Sequence, residues 1–326
     1  MNQNILYSII TPTYNRADCI MRCIESVERN VKTQIRGGNI EHIIVDDGSS
    51  DSTTSIVEAY AKKHPHVVSV RFDHNRGTNA ARNEAIRKAR GKWCIILDSD
   101  DYFVDDALQT IAETMERKPG YRHYMFAPDD MQSYYESNLI IQNAAQKVLT
   151  YPDYLNGHVG GDFIHVCSTD ILCRHPFDER LRIHEGVFFL MFFKEAQQML
   201  FTNKVVTIRE RNRKDSVTRD VLRTSDQVIR RTILSNEIYL DHFEADLKNL
   251  GMQRRLHGVY AQLLDNYVLI GDYRKALGVI KEIGEPIGLK EKLLRMVVNL
   301  RCGWVYKRML CLYLYLKYRV FKKKLA

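Results

Sequence analysis

The chain of 326 residues lacks the short motifs that mark several common classes of nucleotide-binding and metal-dependent protein. GxGxxG is missing after the first predicted strand, where the turn reads TPTYNR, and GxxxxGK[ST] occurs nowhere. Neither a Rossmann dinucleotide site nor a P-loop is therefore predicted. HExxH is also absent, because Phe188 fills the position of the second histidine, which argues against a zinc protease. A nucleotide bound by this chain would be held by acidic residues and a metal ion instead.

Paired cysteines and a targeting segment are missing as well. The seven cysteines are an odd number and include no CxxC pair. The first predicted strand begins at Ile5, which leaves no room for a leader. Together these features predict reduced thiols in a cytoplasmic compartment.

The formal net charge is +8, and the excess of positive charge lies in the C-terminal residues. Residues 286–326 contain eleven Lys and Arg against one Glu, whereas the rest of the chain has 37 basic and 39 acidic side chains. A nucleic-acid surface would not be limited to one tail, so no nucleic-acid partner is predicted. The longest uncharged stretch of this tail, Met309–Leu316, is far shorter than the ~20 residues of a membrane span.

Strands and helices alternate through the first third of the chain, which predicts βαβ units and a parallel, doubly wound sheet. One predicted helix spans Thr78–Ala89, with Gly91 as its C-cap. The predicted strands are Ile5–Thr11, Glu41–Val45, Val67–Phe72 and Trp93–Leu97.

Three carboxylates follow the last of these strands within four residues: Asp98, Asp100 and Asp101. Acids this close repel one another, and the arrangement suits a shared hard cation or a ligand hydroxyl. Ligands of open α/β sheets bind at the carboxyl ends of strands, where these acids fall. The alternative is a solvated turn in which Asp101 or Asp105 caps the next helix.

Four motifs in order resemble the family 2 glycosyltransferases with the GT-A fold, over roughly residues 5–220. Residues 8–16 read SIITPTYNR and residues 43–51 read IIVDDGSSD. Asn75-x-Gly77 precedes Ala81-Arg82-Asn83, and Asp98-Ser99-Asp100-Asp101 resembles the metal-binding DxD of the family. Each motif is a weak signal alone, and the ordered set is a strong one.

The resemblance implies an α/β fold with a Rossmann-like, mostly parallel sheet flanked by helices, and a nucleotide-sugar site that contains Mn²⁺ or Mg²⁺. The implied metal ligands are Asp98, Asp100 and Asp101. The implied donor-binding residues are Pro12, Thr13, Tyr14, Asn15, Asp46, Asp47, Arg82, Asp98, Ser99 and Asp100.

Each of these side chains also has an ordinary structural role to set against the functional one. Tyr14 could stack on a uracil or be a core aromatic residue. Asp47, supported by Asp46, could accept the uracil N3 hydrogen or cap the helix that follows. Arg82 could contact the diphosphate or ribose, or pair with a nearby acid.

Glu185 falls where the family places a catalytic base, preceded here by His184 rather than by an acid. Glutamate is a competent base, so Glu185 is the predicted one and His184 its rival. The alternative is an acid at the start of the apolar helix that follows. The charged loop 207–218 resembles a flexible closing loop, with Arg211, Arg213 and Ser216 as candidate contacts to the diphosphate.

The C-terminal part is predicted to be helical. The proposed domains are 1–220, with the GT-A fold, and 221–326, which ends in the basic amphipathic tail 286–326. Aromatic residues among basic ones suit a helix lying on an anionic membrane surface. The alternative is an amphipathic helix docked on the protein itself or on a partner.

The sequence therefore predicts an inverting, metal-dependent hexosyl- or N-acetylhexosaminyltransferase in surface polysaccharide synthesis. The donor would be a nucleotide sugar, expected to be UDP-linked, and the acceptor a hydroxyl of a glycan or lipid-linked molecule. Its location would be the cytoplasm, peripheral at the inner face of the cell membrane. The alternatives are a nucleotidyltransferase and a non-catalytic relative that binds glycans or membranes.

Overall fold

The computed structural model describes residues 5–33, 39–137, 145–181, 184–210 and 225–316. Contacts divide the chain into two compact units, Met1–Lys214 and Asp215–Ala326. The boundary predicted between residues 220 and 221 falls outside the described residues and stays a prediction.

The N-terminal unit alternates strands with helices. Its described strands are β1 (Ile5–Thr13), β2 (Asn39–Asp46), β3 (Val67–Arg71), β4 (Trp93–Ile96), β5 (Tyr102–Phe103), β6 (His123–Pro128), β7 (Gln146–Thr150), β8 (Ile164–Ser168) and β9 (Gln198–Ile208). Its described helices are α1 (Ile20–Thr33), α2 (Thr53–Ala61), α3 (Thr78–Lys88), α4 (Ala107–Arg117), α5 (Gln132–Ser137), α6 (Tyr151–Leu155), α7 (Thr169–Arg174) and α8 (Gly186–Ala196).

The described strands form one nine-stranded sheet in the order β3-β2-β1-β4-β8-β6-β9-β5, with β7 paired to β9. The first four strands are parallel, as their alternation with helices predicts. β8 then runs antiparallel to both β4 and β6, which makes the whole sheet mixed. The predicted α/β class, with a sheet flanked by helices, is confirmed.

The centre of the sheet is apolar, as the sequence of β4 indicates. Trp93, Cys94 and Ile95 are all buried, and Ile95 packs in one core cluster with Ile9 of β1 and Ile44 of β2. A strand covered on both faces loses the alternating pattern and reads as a continuous apolar run.

Gly91 is not the C-cap that the sequence predicts. α3 ends at Lys88 with Ala89 as its cap. Gly91 lies instead against β1, where an added Cβ would come within 2.7 Å of the backbone nitrogen of Ser8. A residue without a side chain is required at position 91, because the two backbone segments approach each other too closely for a Cβ.

The C-terminal unit consists of helices among its described residues, which confirms the predicted helical extension. These are α9 (Asp226–Asn249), α10 (Gln253–Ile270), α11 (Tyr273–Ile283), α12 (Leu289–Asn299) and α13 (Gly303–Tyr315). Capping explains one helix start: Asp272 accepts a hydrogen bond from Lys275 N at 3.1 Å and begins α11. In the described part of the chain, no helix combines the length and apolar character needed to cross a bilayer.

Candidate active site

Three neighbouring parallel strands end at the same edge of the sheet. β1 lies between β2 and β4, with Thr13 paired to Asp46 and Ile10 paired to Ile96. The chain leaves β1 toward β2 on one side and returns to β4 on the other. This is the point where open α/β sheets form a crevice for ligands.

The acids after β4 form a close cluster at this edge. Asp98 is exposed, whereas Asp100 and Asp101 are partly buried. Burial, followed by the negative charges of Asp98 and Asp100, raises the pKa of Asp101 to about 8. A cluster in which two carboxylates disfavour the ionisation of a third fits a divalent cation, whose charge removes that repulsion and whose preferred ligands are oxygens.

Helix capping does not account for these acids. α4 begins after Asp106, whose side chain makes no capping hydrogen bond. Asp105 pairs with Arg29 at 3.0 Å, and Asp101 Oδ1 accepts the backbone N–H of Glu210 at 3.1 Å. The alternative prediction, in which Asp101 or Asp105 caps the helix, is therefore wrong.

Arg82 joins the acid cluster to the predicted base. Its Nη2 lies 3.2 Å from Asp98 Oδ1, and its Nη1 lies 3.0 Å from Glu185 Oε1. Burial disfavours the charged guanidinium, but the two carboxylates outweigh burial and raise the pKa of Arg82. A single side chain thus brings residues 98 and 185 to the same place.

Two asparagines of α3 fix the segment that leads to Glu185. Asn83 donates from Nδ2 to Phe177 O at 2.9 Å and accepts from Phe177 N at 2.8 Å. One turn earlier, Asn79 Nδ2 donates to Leu181 O at 2.7 Å. Because Asn79, Arg82 and Asn83 share one face of α3, this helix holds the segment and its base together.

Glu185 occupies the N-cap position of α8, but its side chain makes no capping hydrogen bond. Its described bond goes to Arg82 instead. His184 is also partly buried beside it. The geometry therefore gives the carboxylate of Glu185 a role other than capping.

Asp46 and Asp47 each accept hydrogen bonds that fix the loops at this edge. Asp46 Oδ1 accepts from Ser49 N at 3.0 Å, and its other oxygen accepts from the hydroxyl of Thr54. Asp47 accepts from Arg76 N at 2.6 Å and Gly77 N at 2.8 Å. Burial raises the pKa of Asp47, while these two N–H groups oppose the rise. Asp47 therefore holds the turn before α3 and does not cap α2.

The remaining predicted donor residues differ in how accessible they are. Pro12 and Thr13 are buried in β1, and Ser99 is also buried. Tyr14 is 41% exposed, which suits a ring available for stacking and not a core residue. Asn15 has a positive φ of 50° and accepts the backbone N–H of Ser50 at 2.9 Å, so it joins the loops after β1 and β2.

Sequence patterns did not identify two contacts to the acid cluster. Arg16 Nε lies 3.8 Å from Asp100 Oδ2, and the segment that follows β9 supplies the Glu210 N–H to Asp101. Arg16 follows the TPTYN loop directly, a position that could have suggested it. Arg211, Arg213 and Ser216, predicted to contact the diphosphate, lie outside the described residues.

Comparison with known proteins defines the class. Residues 8–155 match the model of glycosyl transferase family 2. Residues 8–155 form a glycosyl transferase family 2 domain, as the four motifs within them indicate.

Among curated relatives, a GalNAc(5)-diNAcBac-PP-undecaprenol beta-1,3-glucosyltransferase of Campylobacter jejuni is 25% identical over 271 residues. That alignment covers 80% of this chain and 84% of the relative. A poly(ribitol-phosphate) beta-glucosyltransferase of Bacillus spizizenii is 39% identical over 102 residues, 31% of this chain and 16% of its own length.

Solved structures share the fold. TarS 1–349 of S. aureus in complex with UDP-GlcNAc aligns with a TM-score of 0.57 at 18% identity, over 80% of this chain and 81% of TarS. The mannosyltransferase PcManGT of Pyrobaculum calidifontis, in complex with GDP-Man and Mn²⁺, has a TM-score of 0.57 at 17% identity. It covers 99% of this chain and 89% of its own.

Arg82→Lys is expected to destabilise the N-terminal unit, because the compact ammonium group lacks the fork with which Nη2 and Nη1 contact Asp98 and Glu185 separately. Both partners are partly exposed, so we expect a loss of about 1–3 kcal/mol in the free energy of unfolding. Chemical denaturation monitored by circular dichroism measures it.

Arg180→Lys is the matched control, because this exposed arginine pairs only locally with Asp178 at 2.6 Å. Its unfolding midpoint should equal that of the wild type. Equal midpoints for the Arg82 variant as well would show that the bridge does not hold this edge together.

Proposed function

We propose that the chain transfers a sugar from a nucleotide-sugar donor to a hydroxyl of a glycan or lipid-linked acceptor, with inversion at the anomeric carbon. The observation that carries this proposal is the bridge from Arg82 to Asp98 and Glu185. It supports the proposal because it joins the acids that we propose bind a cation to the proposed base at one edge of the sheet.

The donor side would be formed by the loops after β1, β2 and β4. Tyr14 would stack on the base, and Asp47, whose two oxygens each keep a lone pair, would accept its N–H. Asp98, Asp100 and Asp101 would hold Mn²⁺ or Mg²⁺, which when bound neutralises the diphosphate charge. The UDP-GlcNAc and GDP-Man complexes of the two structural neighbours support a nucleotide-sugar ligand and leave its base open.

The transfer step would use Glu185. Arg82 occupies Oε1, which orients the carboxylate and leaves Oε2 for the acceptor. Oε2 would remove the acceptor hydroxyl proton as the hydroxyl oxygen attacks the anomeric carbon. The bond from that carbon to the diphosphate breaks on the opposite face, and the nucleoside diphosphate leaves.

The acceptor class is inferred from the relatives. The Campylobacter protein is named for an undecaprenol-linked substrate and the Bacillus protein for poly(ribitol-phosphate). A lipid-linked or polymeric surface glycan is therefore the acceptor we propose here. Such a substrate would keep the enzyme close to a membrane.

Helix α12 supports a membrane contact, because it has apolar residues on two faces. Leu294, Val297 and Val298 are buried within the unit. A second apolar stripe points outward and continues into α13: Leu289, Leu293, Met296, Leu300, Trp304 and Met309, which are 41–85% exposed. Lysines and arginines lie between these residues, so an anionic membrane surface is the partner we propose.

Replacing one cluster acid tests the function. Asp100→Ala should lower turnover at least about 100-fold, because it removes a proposed metal ligand. Purified protein is given a panel of UDP- and GDP-sugars with Mn²⁺ or Mg²⁺, and released nucleoside diphosphate is measured. A single active donor would also identify the sugar.

Asp105→Ala serves as the control, because Asp105 is exposed just after β5 and pairs with Arg29. Unchanged turnover in Asp100→Ala would refute the metal site. If no donor is hydrolysed, metal-dependent binding of UDP or GDP by calorimetry decides whether the site is functional.

Two conservative variants distinguish the rival bases. Glu185→Gln can still accept the Arg82 hydrogen bond but cannot take a proton, so kcat should fall about 10²–10⁴-fold with little change in donor KM. His184→Gln should keep most activity. A larger loss in His184→Gln would move the base assignment to the histidine.

Membrane contact predicts cosedimentation with vesicles that contain an anionic phospholipid. The double variant Trp304→Glu/Met309→Glu should bind at least about tenfold more weakly, because it places two charges in the apolar face. The double variant Leu250→Glu/Leu277→Glu, at sites 47% and 46% exposed in the α9–α10 connection and in α11, is the charge-matched control. Equal binding of all three proteins, or none by the wild type, would contradict the contact.

A further inference from the structure

Two histidines and a glutamate lie close together in the N-terminal unit, near the edge strand β3. In the sheet, β2 and β1 separate β3 from β4, which precedes the acid cluster. Glu28 belongs to α1, and His64 and His66 stand in the connection between α2 and β3. Glu28 Oε2 lies 2.9 Å from His66 Nε2 and 3.6 Å from His64 Nδ1. One ligand atom from each residue falls within 4.8 Å of the other two.

Two of these three atoms are buried without a hydrogen bond. Glu28 Oε2 and His66 Nε2 are both inaccessible to solvent, and neither makes a hydrogen bond within the part of the chain that the structure describes. Their 2.9 Å approach lacks the alignment of a hydrogen bond. Buried polar atoms normally have a partner, so an exception of this kind requires an explanation.

Neighbouring groups hold the three side chains in place. The Tyr60 ring stacks on His64 with centroids 4.0 Å apart, and Lys32 Nζ contacts the other oxygen of Glu28, Oε1, at 3.3 Å. The backbone around the histidines is also fixed, because Val67 N donates to His64 O and His42 N donates to His66 O, both at 2.9 Å. Such supporting contacts are typical of metal ligands.

We propose that Glu28, His64 and His66 bind a divalent transition-metal ion of the zinc class, with water as the fourth ligand. Bonds of about 2.1 Å in a tetrahedral site separate neighbouring ligand atoms by roughly 3.4 Å. The observed separations of 2.9 and 3.6 Å bracket this value. The histidine side chains are 25–28% exposed, so the ion can enter from solvent.

The ligands of this site favour a different metal ion from the one proposed to bind the donor diphosphate. Imidazole nitrogens favour zinc, nickel and copper, whereas an all-carboxylate cluster favours Mg²⁺ and Mn²⁺. The zinc-class ion would connect α1 to the start of β3 and stabilise this side of the sheet. It would take no part in sugar transfer.

Zinc and cobalt alone are the probes. Zn²⁺ is titrated by calorimetry in excess Mg²⁺, which occupies carboxylate sites but competes poorly for imidazole. Cys173 and Cys311, the exposed thiols of the described residues, are changed to serine in every protein, so that thiolates do not bind the metal. The parent should bind one Zn²⁺, and Co²⁺ should give the intense visible absorption of a tetrahedral site.

Glu28→Gln, His64→Ala and His66→Ala should each weaken Zn²⁺ binding at least about tenfold and remove the Co²⁺ band. Zn²⁺ should also raise the melting temperature of the parent and not that of the variants. Glu28→Gln keeps nearly the same side-chain volume, and a melting temperature close to that of the metal-free parent would show that its loss of binding is not due to misfolding.

His257→Ala is the control. His257 pairs with Glu291 at 2.7 Å, with similar burial but without a second histidine. This variant should bind Zn²⁺ like the parent. A parent that binds no Zn²⁺ or Co²⁺, or a titration unchanged by His66→Ala and Glu28→Gln, would overturn the proposal.

Discussion

The candidate active site depends on one buried guanidinium. Arg82 contacts both Asp98 and Glu185, which are far apart in sequence and belong to different elements. A lysine would not be equivalent, because separate nitrogens of the planar guanidinium, Nη2 and Nη1, reach the two carboxylates. The asparagines on the same face of α3 bind the backbone that leads to Glu185. One helix therefore sets the distance between the proposed metal cluster and the proposed base.

Two further acids, Asp46 and Asp47, fix the loops at this edge by accepting hydrogen bonds. Asp46 binds the serine and threonine groups of its own loop, and Asp47 binds the turn that starts α3. Buried carboxylates are costly unless backbone or hydroxyl groups donate to them, and both acids have such donors here. The DDGSSD motif thus has a structural role that is complete without a ligand, and its proposed contact with the base is an addition to that role.

Local patterns allowed much of this arrangement to be predicted. The apolar run of β4, the acids that follow it and the alternation of the first four strands are properties of contiguous residues, so the strand edge could be located from sequence. The antiparallel β8 could not, because strand direction depends on contacts with β4 and β6. The Arg82 bridge, the contact of Glu210 N–H with Asp101 and the grouping of Glu28 with His64 and His66 likewise join residues that only the fold brings together.

Grouping three acids after β4 costs the folded protein stability. A raised pKa at Asp101 means that the folded chain disfavours the ionised carboxylate at neutral pH, and Asp98 and Asp100 contribute to that cost. Arg16 and Arg82 offset part of the negative charge from two sides. The raised pKa of Asp101 shows that repulsion remains within the cluster beside these arginines. Residues chosen only for stability would not be arranged in this way, whereas a cluster that shares a divalent cation recovers the cost when the cation binds.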